Sequence, residues 1–154
     1  MEDIYYICDI KATLENVDSL NKNVEGEKDL VVFNPPYSTK LSVQELAMEE
    51  LKDRKINRIS MESAFLLKAI QYAKKGGVIA ATIPSSFLFN VSNKPIRDII
   101  LEKIQVLMIL DAPKRTFENS AVSVSIIVLK KKQTNGEKPK ELLVASLEDF
   151  LQTA

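Results

Sequence analysis

Short β-branched and apolar runs alternate along this chain with stretches of helical periodicity, and that alternation restricts the fold more than any other feature. The strand-like runs lie at residues 4–8, 30–33, 78–83, 106–110 and 122–129, with a last short one at 141–145. Between them, Leu14, Val17 and Leu20 mark a modest helical stripe over 11–23. Ser42-Val43-Gln44-Glu45 has the form of a capping box, followed by Leu46, Ala47 and Leu51 at helical spacing. A broadly apolar helix is expected over 60–75, closed by Gly76-Gly77. Another follows a cap at Ser92 or Asn93, with Pro95 in its first turn and Ile96, Ile99 and Ile100 inward.

The resulting order is β-α-β-α-α-β-α-β-β-β. Strands separated by helices require parallel crossovers, and so an α/β fold with an open, mainly parallel sheet covered on both faces. The strands at 106–110 and 122–129 have only a loop between them, which predicts an antiparallel strand near the C-terminus. Ligands of such sheets gather outside the carboxyl ends of the strands. Asp9, Asn34, Pro84 and Asp111 fall at those ends.

Composition removes several chemistries. The 154 residues fit one domain or a large part of one, and a hydrophobic share of 45% is ordinary for a globular chain. No stretch approaches the roughly 18 apolar residues of a membrane span, and Met1-Glu2-Asp3 opens no signal peptide. No membrane partner is expected. The lone Cys8 suits a reducing, cytoplasmic setting. There is no histidine, which removes Ser-His-Asp and Cys-His sites and most zinc sites; no metal centre is expected. Net charge is zero, and the one basic cluster is Lys130-Lys131-Lys132 with Lys138 and Lys140. Its plain reading is a solvated strand end and loop; its functional one is a grip on phosphate.

The most informative stretch is Asn34-Pro35-Pro36-Tyr37, directly after the run Leu30 to Phe33. Its plain reading is a proline-stiffened turn with Tyr37 packed on the surface. Its position, where a parallel sheet presents a ligand site, argues for more. The four residues resemble motif IV of the amino-group methyltransferases, in the form found in adenine-N6 DNA methyltransferases. The resemblance implies a partial Rossmann-like class I methyltransferase fold and S-adenosyl-L-methionine as cofactor. It also implies double-stranded DNA with a flipped adenine as substrate, as in restriction-modification. An exocyclic amine is a poor nucleophile because its lone pair is delocalised into the ring. In the implied mechanism Asn34 Oδ1 and the Pro35 carbonyl accept from that amine and localise the lone pair, while Pro35 and Pro36 keep the acceptors rigid. Tyr37 stacks on the extruded base.

Around Phe117 the sequence Thr-Phe-Glu-Asn-Ser-Ala-Val-Ser resembles the family's motif VIII, which implies a second stacking aromatic at Phe117. Alone, a Phe before a strand is more often core. Residues 62–87 resemble the helix, Gly-Gly turn, strand and Pro-Ser-Ser-Phe-Leu loop of type I modification subunits, so the resemblance spans about 29–129. The family's glycine-rich cofactor loop has no counterpart before Asn34, since only Gly26, Gly76, Gly77 and Gly136 are present. Asp9 is read either as a cofactor contact near its adenine or as a helix N-cap. The expectation is one partial catalytic domain over 1–154, beginning at the family's third strand and lacking a target-recognition region. Such a chain is expected to be inactive alone and to bind cofactor weakly. It would work with a specificity subunit or a separate N-terminal half, or self-associate. Two other readings stand beside this one: a protein-glutamine N5 methyltransferase of release factors, and a non-catalytic remnant. RNA guanine-N2 methylation is a weaker third.

Overall fold

The computed structural model of the chain describes residues 15–24, 26–37, 39–46, 48, 51, 53–112, 122–137 and 141–153. In chain order the elements are β1 (Lys28–Phe33), β2 (Lys40–Ser42), β3 (Arg58–Ser60), α1 (Met61–Tyr72) and β4 (Ala73–Pro84). The short helix α2 (Ser86–Phe89), α3 (Lys94–Lys103), β5 (Ile104–Asp111), β6 (Val124–Lys131), β7 (Leu143–Ser146) and α4 (Leu147–Thr153) follow. Five strands form one sheet in the order β1-β4-β6-β5-β7, while β2 and β3 pair separately. β1 is parallel to β4 and β7 to β5, whereas β6 runs antiparallel to both its neighbours, β4 and β5. The expected α/β architecture with one antiparallel strand is therefore present, and that strand lies inside the sheet.

The core lies between the sheet and the α1–α3 layer. Leu66, Leu67 and Ile70 of α1 are buried with Ile96, Ile99 and Ile100 of α3 against Ile79, Ala81 and Ile83 of β4. Each such aliphatic side chain contributes about 1.5–3 kcal/mol relative to exposure. Ser60 caps α1 by accepting from the Ser63 amide, and Pro95 lies at the start of α3. At the β1 edge the other face is open among the described residues: Leu30 and Val32 are 59% and 68% exposed. Cover on both faces was expected there.

Other local expectations need correction. Gly76-Gly77 does not end a helix: α1 stops at Tyr72 and β4 begins immediately at Ala73. The glycines lie in an irregular stretch of that strand, where the β1 register jumps from Lys28↔Ala73 to Leu30↔Val78. Gly76 takes φ +79, the left-handed conformation that favours glycine. Gly77 is packed so closely that a Cβ would sit 2.8 Å from the Lys28 carbonyl oxygen. Among the described residues the capping-box pattern opens a 3-10 turn, Val43–Glu45, and Ser42 makes no side-chain cap. The β2–β3 ladder holds Ser42 extended, and the Val43 amide donates across to Asn57. Val43, Leu46 and Leu51 are nevertheless buried, as their spacing predicted. In the expected helix over 11–23, residues 15–23 form turns around Asp18, whose carboxylate accepts from the Leu20 amide at 3.0 Å. Aspartate competes with helical bonding in this way. The strand-like run at 4–8 lies outside the described residues. Among the described residues no helix is long and apolar enough to cross a membrane.

Candidate functional site

The parallel register of β1 on β4 pairs Val32 with Ala80 and Phe33 with Ala81, which brings the next residues, Asn34 and Thr82, side by side. Phe33 turns to the opposite face and stacks on Phe65 of α1, with ring centroids 6.1 Å apart. This anchors the end of β1. Pro35 and Pro36, unable to donate to a ladder, then end the strand. Pro35 is buried and Asn34 exposed. Tyr37 folds back so that its hydroxyl lies 3.0 Å from Asn34 Oδ1 and 3.0 Å from Thr82 Oγ1. The Thr82 hydroxyl itself donates to Asn34 Oδ1. Of the predicted site residues, Asn34, Pro35, Pro36 and Tyr37 thus form one compact loop at the carboxyl end of the sheet. Pro36 borders a cleft of about 370 Å³ shared with Leu41, Glu45 and Met61.

A second polar group stands at the adjacent strand ends. Ser85 Oγ and Ser125 Oγ each lie 3.1 Å from Asp111 Oδ1 and 2.8 Å from one another. Two hydroxyl protons serve three contacts, so one serine donates to the carboxylate and the other to its neighbour or to the same oxygen. Backbone bonds reinforce this cluster: Ser85 N donates to the Ser123 carbonyl and Ala112 N to that of Val124. Together they tie down both stems of the stretch 113–121. Phe117 belongs to that stretch and, like Asp9, lies outside the described residues.

The lysine run serves a different end of the molecule. Lys130 and Lys131 lie beside Val78 and Ile104, away from Pro84 and Asp111. Lys131 Nζ donates to the carbonyls of Ile70 and Ala73 at the end of α1, at 2.7 and 2.8 Å. Lys132 Nζ donates to the Leu101 carbonyl at the end of α3, at 2.7 Å. Cations at helix carboxyl ends satisfy carbonyls that have no intrahelical partner and complement the macrodipole. Burial pushes the Lys131 ammonium below its ordinary pKa, helped by the charges of Lys103 and Lys75. Lys131 and Lys132 thus serve as caps at helix ends, a role that neither the solvated reading nor the phosphate reading of the run included. Lys138 and Lys140 lie outside the described residues.

Sequence reasoning missed Thr82, Ser85 and Ser125. Each has a faint signal, a hydroxyl in an apolar strand or just beyond its end, but only register shows what it meets. Among the described residues no group of three or more His, Cys, Asp or Glu is placed to hold a metal ion.

The family model described as N-6 DNA Methylase matches residues 4–152. Type II methyltransferase M.BanIII of Aneurinibacillus aneurinilyticus is 26% identical over 136 residues, covering 87% of this chain and 23% of that protein. Among solved structures, the type I restriction-modification methyltransferase subunit of Streptococcus thermophilus superposes with TM-score 0.62 at 25% identity, over 84% of this chain and 29% of that one. A Listeria monocytogenes protein assigned to the class I S-adenosylmethionine-dependent methyltransferases gives TM-score 0.64 at 20% identity, over 84% of this chain and 39% of that one, a likeness of fold. The chain therefore spans about a quarter of the length of the curated relative from Aneurinibacillus.

Proposed function

The chain belongs to the N-6 DNA methylase family, and on that premise we propose that it carries the target-amine side of a site that methylates N6 of adenine in DNA. The observation that carries this reading is the loop Asn34–Tyr37 at the carboxyl end of β1, rigid by its two prolines and held to β4 through Thr82. Relatives named for methyltransferase and restriction-modification activity support it.

The chemistry follows from the acceptors. Asn34 Oδ1 and the Pro35 carbonyl each take one N–H of the amine, which draws the nitrogen toward tetrahedral geometry and returns its lone pair. Neither group is a nucleophile or an ionisable base. That donor set fits a cofactor whose methyl group is already activated, and S-adenosyl-L-methionine, when bound, supplies an electrophilic methyl on sulfonium. Asp9 is the residue proposed to approach it. Tyr37 holds one face of the extruded base and Phe117 the other. The chain works as one partial catalytic domain, with double-stranded DNA as substrate. A specificity subunit or a separate N-terminal segment supplies what the glycine-poor sequence does not. By itself it binds cofactor weakly and is inactive.

The test uses the native assembly containing this chain. Asn34→Ala lowers methyl transfer about 100-fold or more, because one preorganised acceptor is lost, while cofactor and DNA binding persist. Tyr37→Ala and Phe117→Ala instead weaken retention of the flipped base, by roughly 1–3 kcal/mol each, read with a fluorescent base analogue at the target position. Full activity of Asn34→Ala refutes the mechanism. Methylation of a release-factor glutamine without labelling of DNA would replace the substrate and keep the mechanism.

A further inference from the structure

Three oxygens meet at the tip of the site: Asn34 Oδ1, the Tyr37 hydroxyl and Thr82 Oγ1. Only two protons are available to them, one from each hydroxyl, because a carboxamide oxygen accepts and never donates. The Thr82 proton goes to Asn34 Oδ1. The Tyr37 proton has two acceptors at equal distance, Asn34 Oδ1 and Thr82 Oγ1, both at 3.0 Å. With the Tyr37 proton on Thr82, the three groups form a chain from tyrosine to threonine to asparagine. One lone pair of Oδ1 is then left over.

The two hydroxyls differ in how firmly they are held. Thr82 lies inside β4, with its backbone paired to Ile126 of β6, and it is half-buried. Its backbone is held by that pairing, which keeps the hydroxyl within reach of Asn34. Tyr37 sits beyond two prolines on a loop that has left the ladder. The firm partner of Asn34 is therefore Thr82, and the exchangeable one is Tyr37.

We propose that Thr82 is a positioning residue of this site: its hydroxyl holds the Asn34 carboxamide in place and takes over the Tyr37 hydroxyl bond, freeing the second lone pair of Oδ1 for the target amine. An amine arriving at Oδ1 would otherwise have to strip Tyr37 of its acceptor, and an unpaired hydroxyl beside a stacked base is costly. With Thr82 present the phenol proton swings from one oxygen to the other, and no hydrogen bond is lost. The inference rests on the role of Asn34 given above.

Thr82→Val is the test, with Thr82→Ser beside it. Valine has the same shape and suits a strand, so the fold is kept while the hydroxyl is removed. In the native methyltransferase assembly, Thr82→Val should lower kcat about 10- to 100-fold, the range for losing a positioning hydrogen bond to a reacting group. KM for DNA and for cofactor should stay within about twofold, since neither is bound by Thr82. Thr82→Ser should recover most of kcat. A readout independent of turnover is the Asn34 side-chain amide pair in nitrogen-15 NMR of this chain. Its two proton signals should shift in Thr82→Val, where Tyr37 is the remaining donor to Oδ1, but not in Thr82→Ser. Wild-type kcat in Thr82→Val overturns the proposal, as does an equal loss in Thr82→Ser, which would assign the effect to packing of the methyl group. An inactive Asn34→Ala with a fully active Thr82→Val discards Thr82 alone; full activity in both discards the reading of Asn34 as well.

Discussion

Replacing Lys131 by Met separates a structural lysine from a DNA-binding one. The ammonium makes two charge-assisted bonds, to the carbonyls of Ile70 and Ala73 at 2.7 and 2.8 Å. Met keeps most of the aliphatic stem and its packing but leaves both carbonyls at the end of α1 without that donor. Bonds to a charged group contribute about 1.5–3 kcal/mol each. The two here share one ammonium whose pKa is depressed chiefly by burial, so part of the gain is spent on desolvation. A net loss of about 2–3 kcal/mol is expected. For a chain of 154 residues, where 1 kcal/mol moves Tm by about 2–4 °C, the midpoint should fall by about 4 to 12 °C. Thermal unfolding followed by circular dichroism measures it, with Lys130→Met as the neighbouring control, expected within about 0.5 kcal/mol of the parent. DNA affinity of the assembly, followed against salt, should keep its slope, since a lysine on phosphate would lower that slope by about 1. An unchanged Tm in Lys131→Met together with a shallower salt slope would refute the capping argument.

Two further predictions concern backbone packing and buried charge. Gly77→Ala sets a Cβ 2.8 Å from the Lys28 carbonyl oxygen and 2.9 Å from that of Lys74. Both are backbone atoms in or beside paired strands, so a loss of about 2 kcal/mol or more is expected in urea unfolding; a loss below about 0.5 kcal/mol would mean that the two strands can part at little cost. Lys68 is only 3% exposed, and burial lowers its pKa, with the charge of Asp18 opposing. Below that lowered pKa the folded protein bears the cost of a buried charge; between it and the ordinary 10.5 the unfolded chain binds more protons, so stability rises with pH. Relative to Lys68→Met, the parent should therefore gain stability as pH climbs toward 10.5, and a parent that loses ground over that window contradicts the burial argument.

What could be read from the chain alone was whatever depends on local order. Alternating strand and helix signals predicted the α/β architecture, because the periods 2 and 3.6 are properties of neighbouring residues. The antiparallel strand followed from a connection without a helix, and the Asn34–Tyr37 loop from residue types that few other settings need. Pro95 and the isoleucines of α3 were legible for the same reason. Local patterns misled where a neighbour distant in sequence competed for the same backbone. Ser42 has the residues of a capping box, but pairing with β3 holds it extended. Gly76-Gly77 has the form of a helix stop, but its place was decided by how closely β4 must approach β1. The lysine run is the clearest case: from sequence it is bare charge, and only the ends of α1 and α3 standing over it make it a pair of caps. Thr82 could not be assigned before the register of β1 on β4 was known, because the strand period says which face a side chain takes and never which residue of the next strand lies beside it. The sequence determines which groups can do the chemistry; their meeting at one point is a property of strand pairing, which couples residues 48 positions apart.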